Sequence, residues 1–229
     1  MRVHSSSTRS IRPRIALVLT LPLFALLLFG PRVASAQCLT NSDCVWPLGC
    51  ELKDTSFAPI SFPPLAMIRG LDFSNFTSCT PATPGGGFGL VSFFDVFFEL
   101  SLDGGAHWTP TFATGDMQAG FGLTSPTGAN PRIYQTLILA LDIDVPGTVS
   151  TPPMFIRIAS GNSSGETQIT ALDGGQFRID SFFDVFTELT LDGGRTFAAA
   201  SQPARMVLGP MHPTAVRTST WGALKSFYR

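Results

Sequence analysis

The chain contains one 14-residue string twice, and this duplication limits the folds open to it. The first copy, SFFDVFFELSLDGG, covers residues 92–105, and the second copy, SFFDVFTELTLDGG, covers residues 181–194. Twelve of the 14 positions are identical, and the copies lie 89 residues apart. This offset indicates a duplicated module rather than a solenoid, whose repeats are about 20–50 residues long. We therefore predict two related halves, at about residues 61–120 and 150–210.

Alternating apolar residues predict that each copy is a β-strand. In the first copy, one face consists of Phe94, Val96, Phe98, Leu100 and Leu102. A period of two is that of an extended strand, and an unbroken apolar face is expected to pack on a core. The Asp-Gly-Gly that follows predicts a turn, because glycine adopts positive φ readily. A further strand is predicted between the copies, with a core face of Leu137, Leu139, Leu141, Ile143 and Val145.

The first 36 residues have the features of a secretory signal peptide. Several arginines precede an apolar stretch from Ile15 to Phe29, and Ala34-Ser35-Ala36 forms a small-x-small cleavage site. The apolar stretch of 15 residues is shorter than the roughly 20 residues that a membrane-spanning helix needs. We therefore predict an exported protein of the periplasm, the envelope or the extracellular space, with no transmembrane segment after cleavage.

The charge of the exported part argues against a nucleic-acid partner. Residues 1–36 hold five of the 15 basic residues and none of the 16 acidic residues, so the remainder has ten basic and 16 acidic residues. The net charge is then −6. Nucleic-acid binding depends on neutralising phosphates with Lys and Arg. Glycans or envelope components are the partners that we consider instead.

All four cysteines lie in the first part of the exported chain, at Cys38, Cys44, Cys50 and Cys79. An even number of cysteines in an exported protein predicts two disulfides, for which three pairings are possible. Zinc sites use closely spaced Cys and His ligands, which this spacing does not supply. We predict no bound metal from these residues.

Each copy runs into a short motif that resembles the Asp-box, the hairpin motif repeated in sialidases and other β-propellers. The matching positions are Ser101, Asp103, Gly105 and Trp108 in the first copy and Thr190, Asp192, Gly194 and Phe197 in the second. The resemblance implies that each Asp accepts hydrogen bonds from backbone N–H groups of the turn and that the aromatic ring packs beneath it. It implies a structural turn rather than sialidase activity, because a sialidase propeller needs about six four-stranded blades.

The longer string is similar to a repeat found in an uncharacterised family of secreted bacterial proteins. This resemblance covers most of residues 61–210. It implies an exported bacterial protein and assigns no chemistry.

Four acidic residues in the two copies are candidates for a binding or ion site: Asp95, Glu99, Asp184 and Glu188. Glycoside hydrolysis needs two carboxyl groups about 5–9.5 Å apart. Residues four apart on one strand are separated by about 13 Å, so only acids from different copies meet this condition. The alternative is that each acid accepts hydrogen bonds from a turn or pairs with Arg69, Arg157 or Arg178.

No cofactor is predicted, with calcium as the alternative. Asp142 and Asp144 alternate on a strand, and Asp103 and Asp192 lie at turns, but the chain has no Asp-x-Asp-x-Asp-Gly loop. Nucleophilic catalysis also lacks support. The string Gly161-Asn162-Ser163-Ser164-Gly165 has the Gly-x-Ser-x-Gly spacing, but it lies in a predicted loop and not at the strand-to-helix turn that forms a nucleophile elbow. We predict no catalytic residue.

These observations predict an all-β, antiparallel, sandwich-like fold with two duplicated halves. Residues 1–36 are the signal, 37–60 a Cys-rich segment, 61–210 the duplicated β domain, and 211–229 a linker with a short C-terminal helix. Two small separate β domains are the alternative.

Three functions remain open. The favoured one is an exported, non-enzymatic structural or adhesive protein of the cell envelope or extracellular matrix. The alternatives are an extracellular carbohydrate-binding module and a glycoside hydrolase that uses acids from both copies.

Overall fold

The computed structural model of the protein describes residues 38–83, 85–147, 152–159 and 163–211. The predicted signal peptide and the predicted C-terminal helix fall outside these ranges. All of the described residues belong to one compact unit.

Alternating and β-branched sequences produce a structure made almost wholly of strands. They are β1 Cys38–Thr40, β2 Cys44–Val45, β3 Cys50–Asp54, β4 Ile60–Phe62, β5 Ala66–Ser74, β6 Thr80–Pro81, β7 Phe88–Ser101, β8 Thr109–Leu123, β9 Arg132–Val145, β10 Met154–Ile158, β11 Ser164–Ala171, β12 Phe177–Val185, β13 Thr187–Thr190, β14 Ala198–Ala199 and β15 Ala204–Pro210. A single 3-10 turn spans Asp173–Gly175, and the described ranges contain no α-helix.

Eight of these strands close into an antiparallel barrel. Their order is β3-β5-β7-β8-β9-β11-β12-β15, and β15 pairs with β3 to complete the circle. Strand β11 closes the barrel, since it pairs with β9 on one side and with β12 on the other. The predicted all-β, antiparallel class is confirmed. The sandwich arrangement is not confirmed, because one sheet closes on itself instead of two sheets stacking.

The apolar face predicted for the first copy packs inside the barrel. Its buried members are Phe94, Val96, Phe98 and Leu100. Leu102 is 43% exposed, because β7 ends at Ser101 and the chain has already entered the turn. In the second copy, Phe183, Val185 and Leu189 are buried in the same core.

The face predicted for the strand between the copies is wrong for two of its five residues and right for the other three. Leu137 and Leu139 are exposed, whereas the buried side chains are Tyr134, Thr136, Ile138, Leu141, Ile143 and Val145. The register with β8 shifts there: Gln118 pairs with Ala140, and Ala119 pairs with Ile138. The extra residue, Leu139, forms a β-bulge, and one added residue turns all preceding side chains to the opposite face.

The Cys-rich segment is part of the barrel rather than an appendage. Strands β1, β3 and β4 join the main sheet, and β2 pairs with β6 in a separate two-stranded sheet. Two disulfides are present, as predicted, with the pairing Cys38–Cys50 and Cys44–Cys79. They flank Trp46, which is fully buried. Its ring contacts the rings of Phe76, Phe121 and Phe183.

Candidate functional site

The first predicted turn is held by a hydrogen-bond network around Asp103. Ser101 donates from Oγ to Asp103 Oδ1 (2.8 Å) and accepts from the backbone N–H of Gly105 (2.8 Å). Asp103 Oδ1 also accepts from the backbone N–H of His107 (2.9 Å). Gly105 has φ of 95°, a value that glycine adopts without a Cβ clash. The carboxylate therefore organises the turn.

The second turn has the same arrangement around Asp192. Thr190 donates from Oγ1 to Asp192 Oδ1 (2.6 Å) and accepts from the N–H of Gly194 (3.2 Å). Asp192 Oδ1 accepts from the backbone N–H groups of Arg195 (2.9 Å) and Thr196 (3.0 Å). A Thr hydroxyl here performs the function of the Ser hydroxyl in the first turn.

These hydrogen bonds stabilise the ionised form of both turn carboxylates. The backbone N–H of His107 is the main cause that holds the pKa of Asp103 well below its ordinary value. For Asp192, the Thr190 hydroxyl is the main cause of the lowered pKa. Donors that point at an ionised carboxylate favour it over the neutral acid. Both groups are thus acceptors of hydrogen bonds rather than proton donors.

His107 occupies the place that Thr196 has in the second turn. Its Nδ1 lies 2.6 Å from Asp103 Oδ2, and its side chain is 90% exposed. Thr196 donates from Oγ1 to the corresponding oxygen of Asp192, also at 2.6 Å. His107 and Thr196 therefore have the same role in their turns: each side chain contacts the second oxygen of the turn carboxylate.

The glutamates of the two copies make matching ion pairs. Arg69 Nε donates to Glu99 Oε2 at 2.6 Å, and Arg157 Nε donates to Glu188 Oε1 at 2.6 Å. In each case Arg and Glu are direct partners on neighbouring antiparallel strands. Each guanidinium also stacks on the aromatic ring of its own turn, Trp108 or Phe197.

The two aspartates of the copies differ in their partners. Asp95 accepts from the side-chain amide of Asn75 at 2.7 Å. Asp184 pairs instead with Arg205 at 2.7 Å, whose guanidinium lies 4.0 Å from the centre of the Phe182 ring. Arg178, one of the predicted partners of these acids, pairs with Asp180. Each of the four candidate acids therefore has its own local partner. The partners of the two glutamates match between the copies, and those of the two aspartates differ.

A groove lies on the outer face of the barrel, and it was not predicted from the sequence. It has a volume of 590 Å³, and its walls include Asn75, Asp95, Phe97, Phe112 and Met211. The ring centres of Phe97 and Phe112 lie 4.9 Å apart, and the two residues are direct partners on the paired strands β7 and β8. Phe112 is 72% exposed. The sequence feature that could have indicated this groove is Phe97, a large apolar residue on the face of the first copy opposite Phe94, Val96 and Phe98.

A second groove of 530 Å³ adjoins the first and shares Asn75, Asp95 and Thr114 with it. Three more carboxylates line it, those of Asp116, Asp142 and Asp144. Among the described residues that line either groove there is no Lys or Arg, but Lys53 pairs with Glu51 and Asp72 of the first groove. Within residues 38–211, leaving aside the undescribed gaps, no group of three or more His, Cys, Asp or Glu is arranged to hold a metal ion. Calcium stays the alternative to the prediction of no cofactor.

Neither the models of protein families nor the curated proteins nor the solved structures show a match to this chain. In the part of the chain that the structure describes, no helix has the length and apolar character needed to cross a membrane.

Proposed function

We propose that this is an exported, non-enzymatic structural or adhesive protein that acts at the cell envelope or in the extracellular matrix. The observation that carries the proposal is the groove with the exposed Phe97–Phe112 pair on the outside of a disulfide-bonded barrel. Large aromatic side chains grouped on a surface mark interaction sites. A barrel whose interior is filled by side chains offers binding on its outer face.

The contacts of the acidic residues favour a non-enzymatic role. Glu99 and Glu188 each have an arginine on the next strand, and both arginines also stack on turn aromatics. An ion pair that recurs in both copies suits a structural role in the fold better than a role in a single active site. The hydrolase alternative stays a prediction, and these ion pairs count against it, because catalysis needs two acids that converge on one bond.

A glycan is the ligand class that the groove favours. Aromatic rings offer flat apolar surfaces to the CH groups of a sugar, and adjacent polar groups fix its orientation. Here the amide of Asn75 and the carboxylate of Asp95 lie in the same groove as Phe97 and Phe112. This combination supports the carbohydrate-binding hypothesis as the specific form of the adhesive role.

The proposal is tested with the exported chain, residues 37–229, mixed with insoluble polysaccharides such as cellulose, chitin and peptidoglycan. We expect Phe112→Ala to weaken binding about tenfold, which corresponds to about 1.4 kcal/mol. Phe57→Ala is the matched control, because Phe57 is fully exposed on the loop between β3 and β4 and does not line the groove. Equal binding by wild type and Phe112→Ala, or no binding by the wild type, would contradict the proposal.

A further inference from the structure

The groove with Phe97 and Phe112 begins where the described part of the chain ends. Strand β15 pairs with β3 up to Pro210, and the N–H of Met211 donates to the carbonyl oxygen of Gly49 at 2.9 Å. Met211 then forms part of the groove wall. The residues that follow, 212–229, are therefore tethered at the groove itself.

The charges of the groove and of residues 212–229 are opposite. The acidic residues that line the two adjoining grooves are Glu51, Asp72, Asp95, Asp116, Asp142 and Asp144. Lys53 pairs with two of them, with Glu51 at 2.6 Å and with Asp72 at 3.8 Å, so the attraction rests on the four aspartates at 95, 116, 142 and 144. The tethered segment carries Arg217, Lys225 and Arg229 and no acidic residue. Opposite charges at close range attract, and more strongly where the surface excludes water.

The apolar character of the two partners also matches. The segment contains three aromatic residues, Trp221, Phe227 and Tyr228, and the groove presents the exposed ring of Phe112 beside Phe97. Aromatic rings pair favourably in offset or edge-to-face contacts, and Arg or Lys adds attraction to a ring face. An 18-residue segment reaches up to about 60 Å when extended, which is ample for both grooves.

We propose that this groove is the docking site of the chain's own C-terminal segment, residues 212–229, bound within the same molecule. The basic side chains face the carboxylates of Asp95, Asp116, Asp142 and Asp144, and the aromatic side chains pack on Phe97 and Phe112. Binding within one molecule is favoured over binding between molecules because the tether at Met211 gives the segment a high effective concentration. The segment then competes with any external ligand of the groove.

A spin label on the segment tests this inference directly. The four cysteines of the sequence are all in disulfides, so a cysteine introduced as Ser226→Cys is the one thiol available for a nitroxide. In the exported chain we expect strong paramagnetic broadening of the backbone amides of Ala113 and Thr114. The amides of Gln168 and Asp180, which line a different groove, are the internal control and stay sharp.

Two further samples decide between the possible outcomes. In the labelled chain with Arg217→Gln, Lys225→Gln and Arg229→Gln, we expect the broadening at Ala113 and Thr114 to fall by more than half. Broadening that occurs when ¹⁵N-labelled unmodified chain is mixed with spin-labelled chain identifies a second copy as the donor of the segment and overturns docking within one molecule. Absence of broadening at the groove overturns the inference too. None of these outcomes depends on polysaccharide binding, so the two proposals fail separately.

Discussion

The guanidinium carbon of Arg69 lies 4.1 Å from the centre of the Trp108 ring. The same contact joins Arg157 and Phe197 at 3.6 Å. Each arginine therefore links a strand to the turn that follows the copy, through a ring on one side and a glutamate on the other. In both copies, the turn is thereby connected to the pair of antiparallel strands that carries the Arg–Glu ion pair.

This relationship predicts a difference between two substitutions of one residue. Trp108→Phe keeps a ring under Arg69, as the second turn does with Phe197, so we expect little change in the free energy of unfolding. Trp108→Ala removes the ring and its packing, and we expect a loss of about 1–3 kcal/mol. Chemical denaturation measures both. Equal losses for Phe and Ala would show that the stacking contact does not stabilise the turn.

The turn carboxylates predict a specific dependence of stability on pH. Because the pKa of Asp103 in the folded protein lies below its ordinary value of 3.8, its contribution is present above that value and is lost as the pH falls towards the lower, folded pKa. Asp103→Asn should therefore lower the melting temperature at neutral pH, and the difference from wild type should narrow below pH 3.8.

Asp173→Asn is the control for this experiment. Asp173 lies in an exposed turn of similar Asp-Gly-Gly sequence, yet it has no hydrogen bond from another described residue. We expect its melting temperature to follow that of the wild type at every pH. A difference between wild type and Asp103→Asn that stays constant with pH would contradict the role assigned to the ionised carboxylate.

The closure of the barrel predicts that one glycine of β11 cannot carry a side chain. A Cβ at Gly165 would overlap the carbonyl oxygen of Phe182 and lie 2.7 Å from the Cα of Phe183. We expect Gly165→Ala to cost about 3 kcal/mol or more. Gly122→Ala is the matched control in β8, where nothing lies within 4 Å of the added atom, and Ala there should be neutral or slightly stabilising. Thermal unfolding of both variants compares them, and equal stability would place β11 elsewhere.

The buried ring of Trp46 predicts that the Cys-rich segment stabilises the barrel. Trp46→Ala removes a large, fully buried side chain and should lower the free energy of unfolding by about 3–5 kcal/mol. Leu48→Ala, in the same segment but mostly exposed, should change it little. Denaturant titration with the disulfides intact measures both. A small effect of Trp46→Ala would mean that the segment packs loosely on the barrel.

Local patterns in the sequence account for much of the fold. The period of two in the first copy identifies the buried face from Phe94 to Leu100 correctly, since neighbouring side chains on a strand must point to opposite sides. The count of cysteines correctly gives two disulfides. These features depend on short stretches of chain, so the residues themselves contain the information.

Features that depend on contacts between residues far apart in the chain could not be predicted from local sequence patterns. The closure of the barrel depends on β11, which pairs with β9 and β12 at once, and no local pattern distinguishes this from a sandwich. The bulge at Leu139 reverses a face that the leucine pattern had indicated. In the same way, Asp95 and Asp184 have identical sequence surroundings but take their partners, Asn75 and Arg205, from elsewhere in the chain.

We propose that the outer groove with Phe97 and Phe112 is a non-catalytic binding surface. One combined assay of binding and hydrolysis tests this proposal most directly. A chain of residues 37–229 and its Phe97→Ala/Phe112→Ala variant are each incubated with the same polysaccharides, and the bound protein and the released reducing ends are measured in the same sample. We predict that the wild type binds, that the double variant loses binding, and that neither releases reducing ends above the buffer control. Equal binding of both proteins, or release of reducing ends by the wild type, would contradict this function.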